Sequence, residues 1–131
     1  ATGGPITRLT SSGSQPAWSP DGRRIAFRTT NLISLAPLDS VTIFPSQIGV
    51  VDVETGAERR FGSEETRTNP SWTPDGKWLL FAASDFGATS RIRALEVSTG
   101  RVHDLPQGRA GLFSPASSPD QRWIYYTRLE K

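Results

Sequence analysis

Three aspartates are the carboxylates whose spacing first suggests chemistry, because they recur at nearly regular intervals. Asp21 precedes Asp75 by 54 residues, and Asp75 precedes Asp120 by 45. Each stands in the same short phrase, Ser/Thr-Pro-Asp followed by Gly or Gln and then a basic residue. A carboxylate that recurs together with its whole phrase marks a structural repeat. We therefore predict that these aspartates are turn residues and not a catalytic set.

Other catalytic or metal-binding patterns are sparse. The chain has one histidine, His103, and no cysteine, so the usual zinc ligand sets are excluded. It contains neither a Gly-x-Ser-x-Gly nucleophile elbow nor a Gly-Lys-Ser/Thr phosphate loop. His103 stands beside Asp104 in a predicted outer strand, where an exposed structural histidine is a simpler interpretation than a catalytic base. The sequence predicts no enzyme activity, no cofactor and no metal.

The phrase around the aspartates predicts a hairpin turn. It occurs as Trp18–Arg23, as Trp72–Lys77 and, in diverged form, as Ser117–Arg122. Ser or Thr, then Pro, then Asp suits a type I turn, because proline presets its own φ and the carboxylate can accept a nearby backbone N–H. A glycine that closes such a turn takes a left-handed conformation without a steric penalty. Gly22 and Gly76 occupy that position.

The third copy has Gln121 where the other two have glycine. A side chain in the left-handed region costs about 1–2 kcal/mol. The third turn is therefore either strained or of a different type.

A second phrase shows that each repeat holds two hairpins. Val-x-Thr-Gly ends at Gly56 and again, 44 residues later, at Gly100. Four antiparallel strands in a repeat of roughly 45 residues are typical of a β-propeller blade. Runs such as Trp78–Ala83 are apolar on both alternating faces, as expected for a strand covered by neighbouring blades. The predicted hairpins cover residues 15–29 and 47–61 in the first blade, and 69–83 and 91–105 in the second.

The combined pattern, Pro-x-Trp-Ser/Thr-Pro-Asp-Gly-Lys/Arg-x-apolar-x-Phe and then Val-x-Thr-Gly, resembles the bacterial TolB-type (WD-repeat-like) β-propeller repeat. The resemblance covers residues from Ile6 to Leu129 and implies an all-β propeller. Propellers of this type also occur in prolyl-oligopeptidase-like peptidases, in the tricorn protease and in bacterial regulators. It therefore implies a non-catalytic scaffold or protein-binding module. The alternatives are an accessory propeller of a larger serine peptidase or lyase, or a ligand-sensing propeller of a bacterial regulator.

The blade boundaries predict about half of a six-bladed propeller. Residues 1–14 would hold the outer strand of a preceding blade, from Ile6 to Thr10. Residues 15–62 form blade 1, residues 63–107 form blade 2, and residues 108–131 form the first half of blade 3. Closed propellers have about 4–8 blades. We therefore expect the open faces to be covered by the remainder of a propeller or by a second copy, as a homodimer.

Repetition also predicts what the tryptophans do. Trp18 and Trp72 precede their turns, whereas Trp78 and Trp123 follow theirs. Side chains that recur at the blade period are expected in the core between blades and not in a ligand site.

The charge pattern argues against nucleic acid as a partner. The formal net charge is +2, and the basic residues are scattered along the chain. No run approaches the roughly 18 apolar residues of a membrane span. The compartment stays open between periplasm and cytoplasm.

One segment departs from the repeat. Residues 30–46 join the two hairpins of blade 1, whereas residues 84–90 suffice in blade 2. The longer segment is too apolar for a solvated loop, and long apolar loops are usually functional or cover other surface. It either packs on or extends its own blade, or it contacts a partner. The candidate contact residues are Leu35, Leu38, Ile43 and Phe44.

Overall fold

Strands and turns make up the described part of this computed structural model, which covers residues 6, 8–10, 13–29, 33–35, 41–43, 46–62, 65–84, 90–105 and 111–129. The strands are, in chain order, β1 (Ser14–Trp18), β2 (Arg24–Arg28), β3 (Ile33–Leu35), β4 (Val41–Ile43), β5 (Ile48–Asp52), β6 (Glu58–Phe61), β7 (Thr66–Trp72), β8 (Trp78–Ser84), β9 (Ser90–Glu96), β10 (Val102–Asp104), β11 (Gly111–Ser117) and β12 (Ile124–Leu129). No helix in the described part of the chain is long and apolar enough to cross a membrane.

Two complete antiparallel sheets confirm the predicted blades. Blade 1 has the strand order β1-β2-β5-β6, and blade 2 has the order β7-β8-β9-β10. Strands β11 and β12 form a third, two-stranded sheet. The first strands lie side by side, β1 against β7 and β7 against β11, whereas β6 and β10 are the edge strands at the other ends of their sheets. The sheets therefore fan outward from their first strands, as propeller blades do.

The core follows from this stacking. Five consecutive residues of β8, Leu79–Ala83, are buried, so both faces of that strand are covered. Blade 2 lies between blade 1 on one side and β11–β12 on the other. The continuous apolar run that predicted a sandwiched strand therefore has its structural counterpart in β8.

Each first strand carries the same irregularity. Gln15, Asn69 and Ser114 have φ of 53°, 55° and 51°, and each immediately precedes a proline. The strand register shifts at these positions, between 14 and 17, between 68 and 71, and between 113 and 116. A residue before proline normally prefers an extended conformation. The three left-handed residues therefore belong to β-bulges that recur once per blade.

Two expectations about the start of the chain and the long connection are refined. Ile6 and residues 8–10 lie in no strand, in contrast to the outer strand predicted from Ile6 to Thr10. Such a strand would pair with the third strand of a preceding blade, and the described residues include no such partner. Within the long connection, β3 and β4 pair with each other in register as a ribbon, and among the described strands they pair with no other.

Candidate functional site

The repeated aspartates lie in the turns and bind the local backbone. The Thr73 hydroxyl donates to Asp75 Oδ1 at 2.6 Å, and the Lys77 N–H donates to the same oxygen at 3.0 Å. Asp21 and Asp120 accept the corresponding pairs of bonds in their own turns. The hydroxyl bond and then the backbone bond lower the pKa of each of these carboxyls. The structure places the three carboxylates in three separate turns, with two local bonds for each.

The third turn keeps the geometry of the other two. Gln121 has φ of 60°, close to the 70° of Gly76, and its N–H donates to the Ser118 carbonyl at 2.9 Å. The turn type is therefore retained, and the left-handed side chain is the strained alternative. With its amide oriented to pair both atoms, Gln121 lies 3.1 Å from Asp75 Oδ2 and 3.2 Å from the Asp75 nitrogen. These bonds to the neighbouring blade offset the conformational cost of a non-glycine residue.

Trp72 of blade 2 contacts blade 1 through a hydrogen bond. Trp72 is 8% exposed, and its indole N–H donates to the Ala17 carbonyl of β1 at 2.9 Å. The Arg24 guanidinium lies 4.7 Å from the centre of the Trp72 ring and donates to the Gly76 carbonyl at 3.1 Å. An indole needs a hydrogen-bond acceptor when it is buried. A carbonyl of the preceding blade supplies it here.

The bulges supply a second connection between the same blades. The Asn69 N–H of β7 donates to the Gln15 side-chain oxygen of β1 at 2.9 Å. Ser46, a buried residue two positions before β5, provides a third connection. Its hydroxyl donates to the Arg67 carbonyl at 3.0 Å, and the Arg67 N–H donates back to the Ser46 carbonyl at 2.9 Å. Each bond joins one blade to the next.

Arg67 is the most buried charge at this interface. Burial lowers the pKa of its guanidinium, and the neighbouring Glu65 carboxylate opposes that effect. The two groups are 3.1 Å apart, and the guanidinium also lies 4.9 Å from the centre of the Phe81 ring. Arg93 pairs with Glu65 at 2.7 Å and with Asp104 at 2.8 Å. These charges are paired, as a half-buried cluster requires.

The outer sides of the stack are different, because equivalent aromatic side chains are exposed there. Trp18 is 60% exposed and Trp123 is 62% exposed. Tyr125 is 63% exposed on β12. A groove of about 230 Å³ lies on the Trp18 side; it is lined by Leu9, Thr10, Gly13, Ser14, Pro16, Ile25, Phe27 and Val51. Of the four tryptophans predicted for the core between blades, Trp72 is buried, whereas no blade covers Trp18 or Trp123 within the described part of the chain.

His103 packs against an aromatic side chain of its own blade. It lies in β10 with its ring centre 5.2 Å from that of Trp78, in an edge-to-face arrangement. Among the described residues no group of three or more His, Cys, Asp or Glu side chains is placed to hold a metal ion.

Two of the four candidate contact residues of the long connection lie in described strands. Leu35 and Ile43 are end residues of the β3–β4 ribbon. Leu38 and Phe44 lie outside the described residues. A role of this segment in partner binding stays a prediction.

Comparison with solved structures gives the fold a name. A TolB protein of Acinetobacter baumannii is 25% identical with a TM-score of 0.68, covering 88% of this chain and 26% of that one. A protein assigned as TolB from Agrobacterium tumefaciens has a TM-score of 0.73 at 22% identity, covering 93% of this chain and 41% of that one. The fold is that of TolB-type propeller blades. Hydrazine synthase of Kuenenia stuttgartiensis also matches, with a TM-score of 0.60 at 19% identity over 85% of this chain and 35% of that one.

A curated relative is named as a peptidase. The uncharacterized peptidase YuxL of Bacillus subtilis (strain 168) is 24% identical over 164 residues, which include 96% of this chain and 23% of that protein. The chain thus spans about a quarter of the length of this relative. No family model matches the chain.

The sequence reasoning did not find the residues that connect the blades. These residues lie between blades, and their residue types do not recur at the blade period; they are Arg24, Gln15, Arg59 and Arg67. The available signal was the change of residue type at repeat-equivalent positions, such as Arg24 against Trp78.

Proposed function

We propose that this chain is a non-catalytic propeller scaffold that binds proteins, and that its two open faces are covered by further blades. The observation that carries the proposal is the contrast between Trp72 at 8% exposure and Trp18 at 60%. Both tryptophans occupy the same position of the repeat. The outer face of blade 1 therefore resembles the face of blade 2 that is covered at the blade interface, but no described blade packs against it. Exposed apolar patches of this kind mark association sites.

In a pure sample, the molecule available to cover an open blade face is a second copy of the chain. Two copies would approach the roughly 24 strands of a six-bladed ring. We therefore propose a homodimer in which the Trp18 face of one copy is covered by the β12 side of the other. In a longer protein, further blades of the same polypeptide would take the same place.

Sedimentation velocity of the pure chain across the micromolar range tests this proposal. We expect a dimer mass for the native chain, and a monomer for Trp18→Glu, because a charge would be buried in the interface. The control Glu54→Ala changes an exposed turn residue and should leave the dimer intact. A native chain that stays folded, soluble and monomeric contradicts self-association.

A second candidate function rests on the similarity to YuxL, which is named as a peptidase. In this alternative the chain is part of an accessory propeller, and the catalytic residues lie in another part of a longer protein. A natural gene that continues into a nucleophile elbow would favour the peptidase. One that does not would favour the scaffold.

A further inference from the structure

A groove between blades 1 and 2 carries an excess of positive charge. It has a volume of about 510 Å³ and is lined by Arg24, Arg59, Gly76, Lys77, Trp78, Glu96, Val97 and Ser98. This volume falls in the range of roughly 300–1,000 Å³ that is usual for ligand sites. Three of the lining side chains are cations and one is a carboxylate.

The two arginines are held in place without neutralising their charge. Arg24 stacks on Trp72 and donates to the Gly76 carbonyl. Arg59 lies 4.8 Å from the centre of the Phe61 ring and donates to the Val97 carbonyl at 2.9 Å. Within the described residues, neither these guanidiniums nor the exposed Lys77 ammonium forms an ion pair with a carboxylate. Fixed cations with free donors attract carboxylates, because charge-assisted hydrogen bonds are the stronger kind.

The single carboxylate of the groove has a local partner. Glu96 Oε1 accepts a bond from the Thr99 hydroxyl at 2.7 Å. Glu96 reduces the positive charge of the groove without reversing its sign, because three of the lining residues are cationic.

The repeat itself shows that blade stacking does not require these cations. Trp78 and His103 occupy in blade 2 the positions that Arg24 and Arg59 occupy in blade 1, and their rings pack edge to face. A purely structural role would allow the same pair of rings in both blades. The pair of arginines in blade 1 is therefore a departure that adds charge to the groove.

We propose that this groove binds an acidic segment of a partner protein, with Arg59 and Lys77 as the main contacts to its carboxylates and Trp78 as an apolar wall. The inference rests on the proposed protein-binding role and names the chemistry of the partner. Arg24 positions the groove wall through its contacts with Trp72 and Gly76. Because all lining residues lie in one chain, the site does not depend on self-association.

The probe is a short fluorescent peptide of alternating Glu and Gly, with a Gln–Gly peptide and inorganic phosphate as comparisons. We expect binding of the acidic peptide that weakens as salt rises, because salt screens exposed charges. We expect little binding of the Gln peptide. Competition by phosphate at concentrations similar to those of the peptide would show a general anion site and would contradict a peptide groove.

A pair of charge reversals separates the groove from the overall charge of the chain. Lys77→Glu lines the groove, whereas Arg122→Glu lies at the equivalent position of the third turn, outside the groove. Both change the net charge equally. We expect a loss of affinity of about fivefold for Lys77→Glu, the upper end of the range for an exposed charge pair, and less than about twofold for Arg122→Glu. Equal losses in both variants would overturn the proposal.

Two further variants sharpen the test. Glu96→Gln removes the one carboxylate of the groove and should tighten binding, whereas Arg59→Gln should weaken it. Because Arg59 also donates to the Val97 carbonyl, the affinity of this variant is measured at a temperature at which it is fully folded. Weaker binding by Glu96→Gln would contradict the assigned ligand charge. A chain that stays monomeric and binds the peptide refutes ring completion but supports the groove. A chain that dimerises and fails to bind refutes the groove alone.

Discussion

The two tryptophans that precede the first and second turns show how far a local phrase determines its surroundings. Trp18 and Trp72 have the same place in the repeat and pair with equivalent residues of the next strand, Ile25 and Leu79. Nevertheless one is 60% exposed and the other 8%. The backbone of the hairpin is set by the phrase itself, whereas the burial of its tryptophan depends on the neighbouring blade.

The largest expected effect comes from removing one member of this pair at a time. Trp72→Ala should lower the free energy of unfolding by about 3–5 kcal/mol, because it leaves a cavity between blades and the Ala17 carbonyl without its donor. Trp18→Ala should change it by about 0.5 kcal/mol or less, as is usual for an exposed site. Urea denaturation at concentrations below self-association measures both values. Equal losses would mean that Trp18 is covered in the monomer.

A smaller effect is expected at the turns. Asp75→Ala should lower the free energy of unfolding by about 0.5–2 kcal/mol, because two local bonds to Asp75 Oδ1 are lost. Peptide or partner binding by the folded variant should be unchanged. The same denaturation series, read beside a binding titration, checks both statements. Lost binding at native stability would instead make the turn aspartates a functional set.

The smallest expected effect is a loss of stability at acidic pH. The pKa values of Asp21, Asp75 and Asp120 are lowered in the folded chain, chiefly by hydroxyl and backbone hydrogen bonds. Their contribution to stability is therefore present above the unfolded aspartate pKa of about 3.9 and is lost as the pH falls through the lower folded values. The urea midpoint should drop between about pH 4 and pH 2.

The matched variants for this prediction are Asp75→Asn and Glu54→Gln. The first should flatten the drop, because asparagine does not titrate, whereas the second changes an exposed turn carboxylate of blade 1. An equally steep drop in Asp75→Asn would show that other groups carry the acid sensitivity.

Sequence reasoning succeeded where the physics is local and periodic. The Pro-Asp-Gly turns, the two hairpins of each blade and the doubly buried run of β8 depend on residues within a few positions of one another. They could therefore be predicted from one copy and checked against the next.

It failed where a conformation or contact depends on another blade. Nothing around Asn69-Pro70 predicts a left-handed asparagine, because the local preference before proline is extended. The Asn69 N–H is satisfied by the Gln15 side chain of the neighbouring blade, a contact that the residues around Asn69 do not reveal. For the groove, the position of Arg59 opposite the Val97 carbonyl requires the stacking distance between sheets.

The indole–carbonyl bond from Trp72 to Ala17 has a consequence for how such chains grow. The donor belongs to the side of blade 2 that meets the preceding blade, and the acceptor belongs to the side of blade 1 that meets the following blade. The contact is therefore heterologous and runs head to tail. Heterologous contacts repeat without limit unless the rotation between neighbours brings the last unit back to the first. A duplicated blade therefore brings both halves of its own interface with it. Lengthening the array needs no new recognition surface, and the angle between blades alone decides where the array closes.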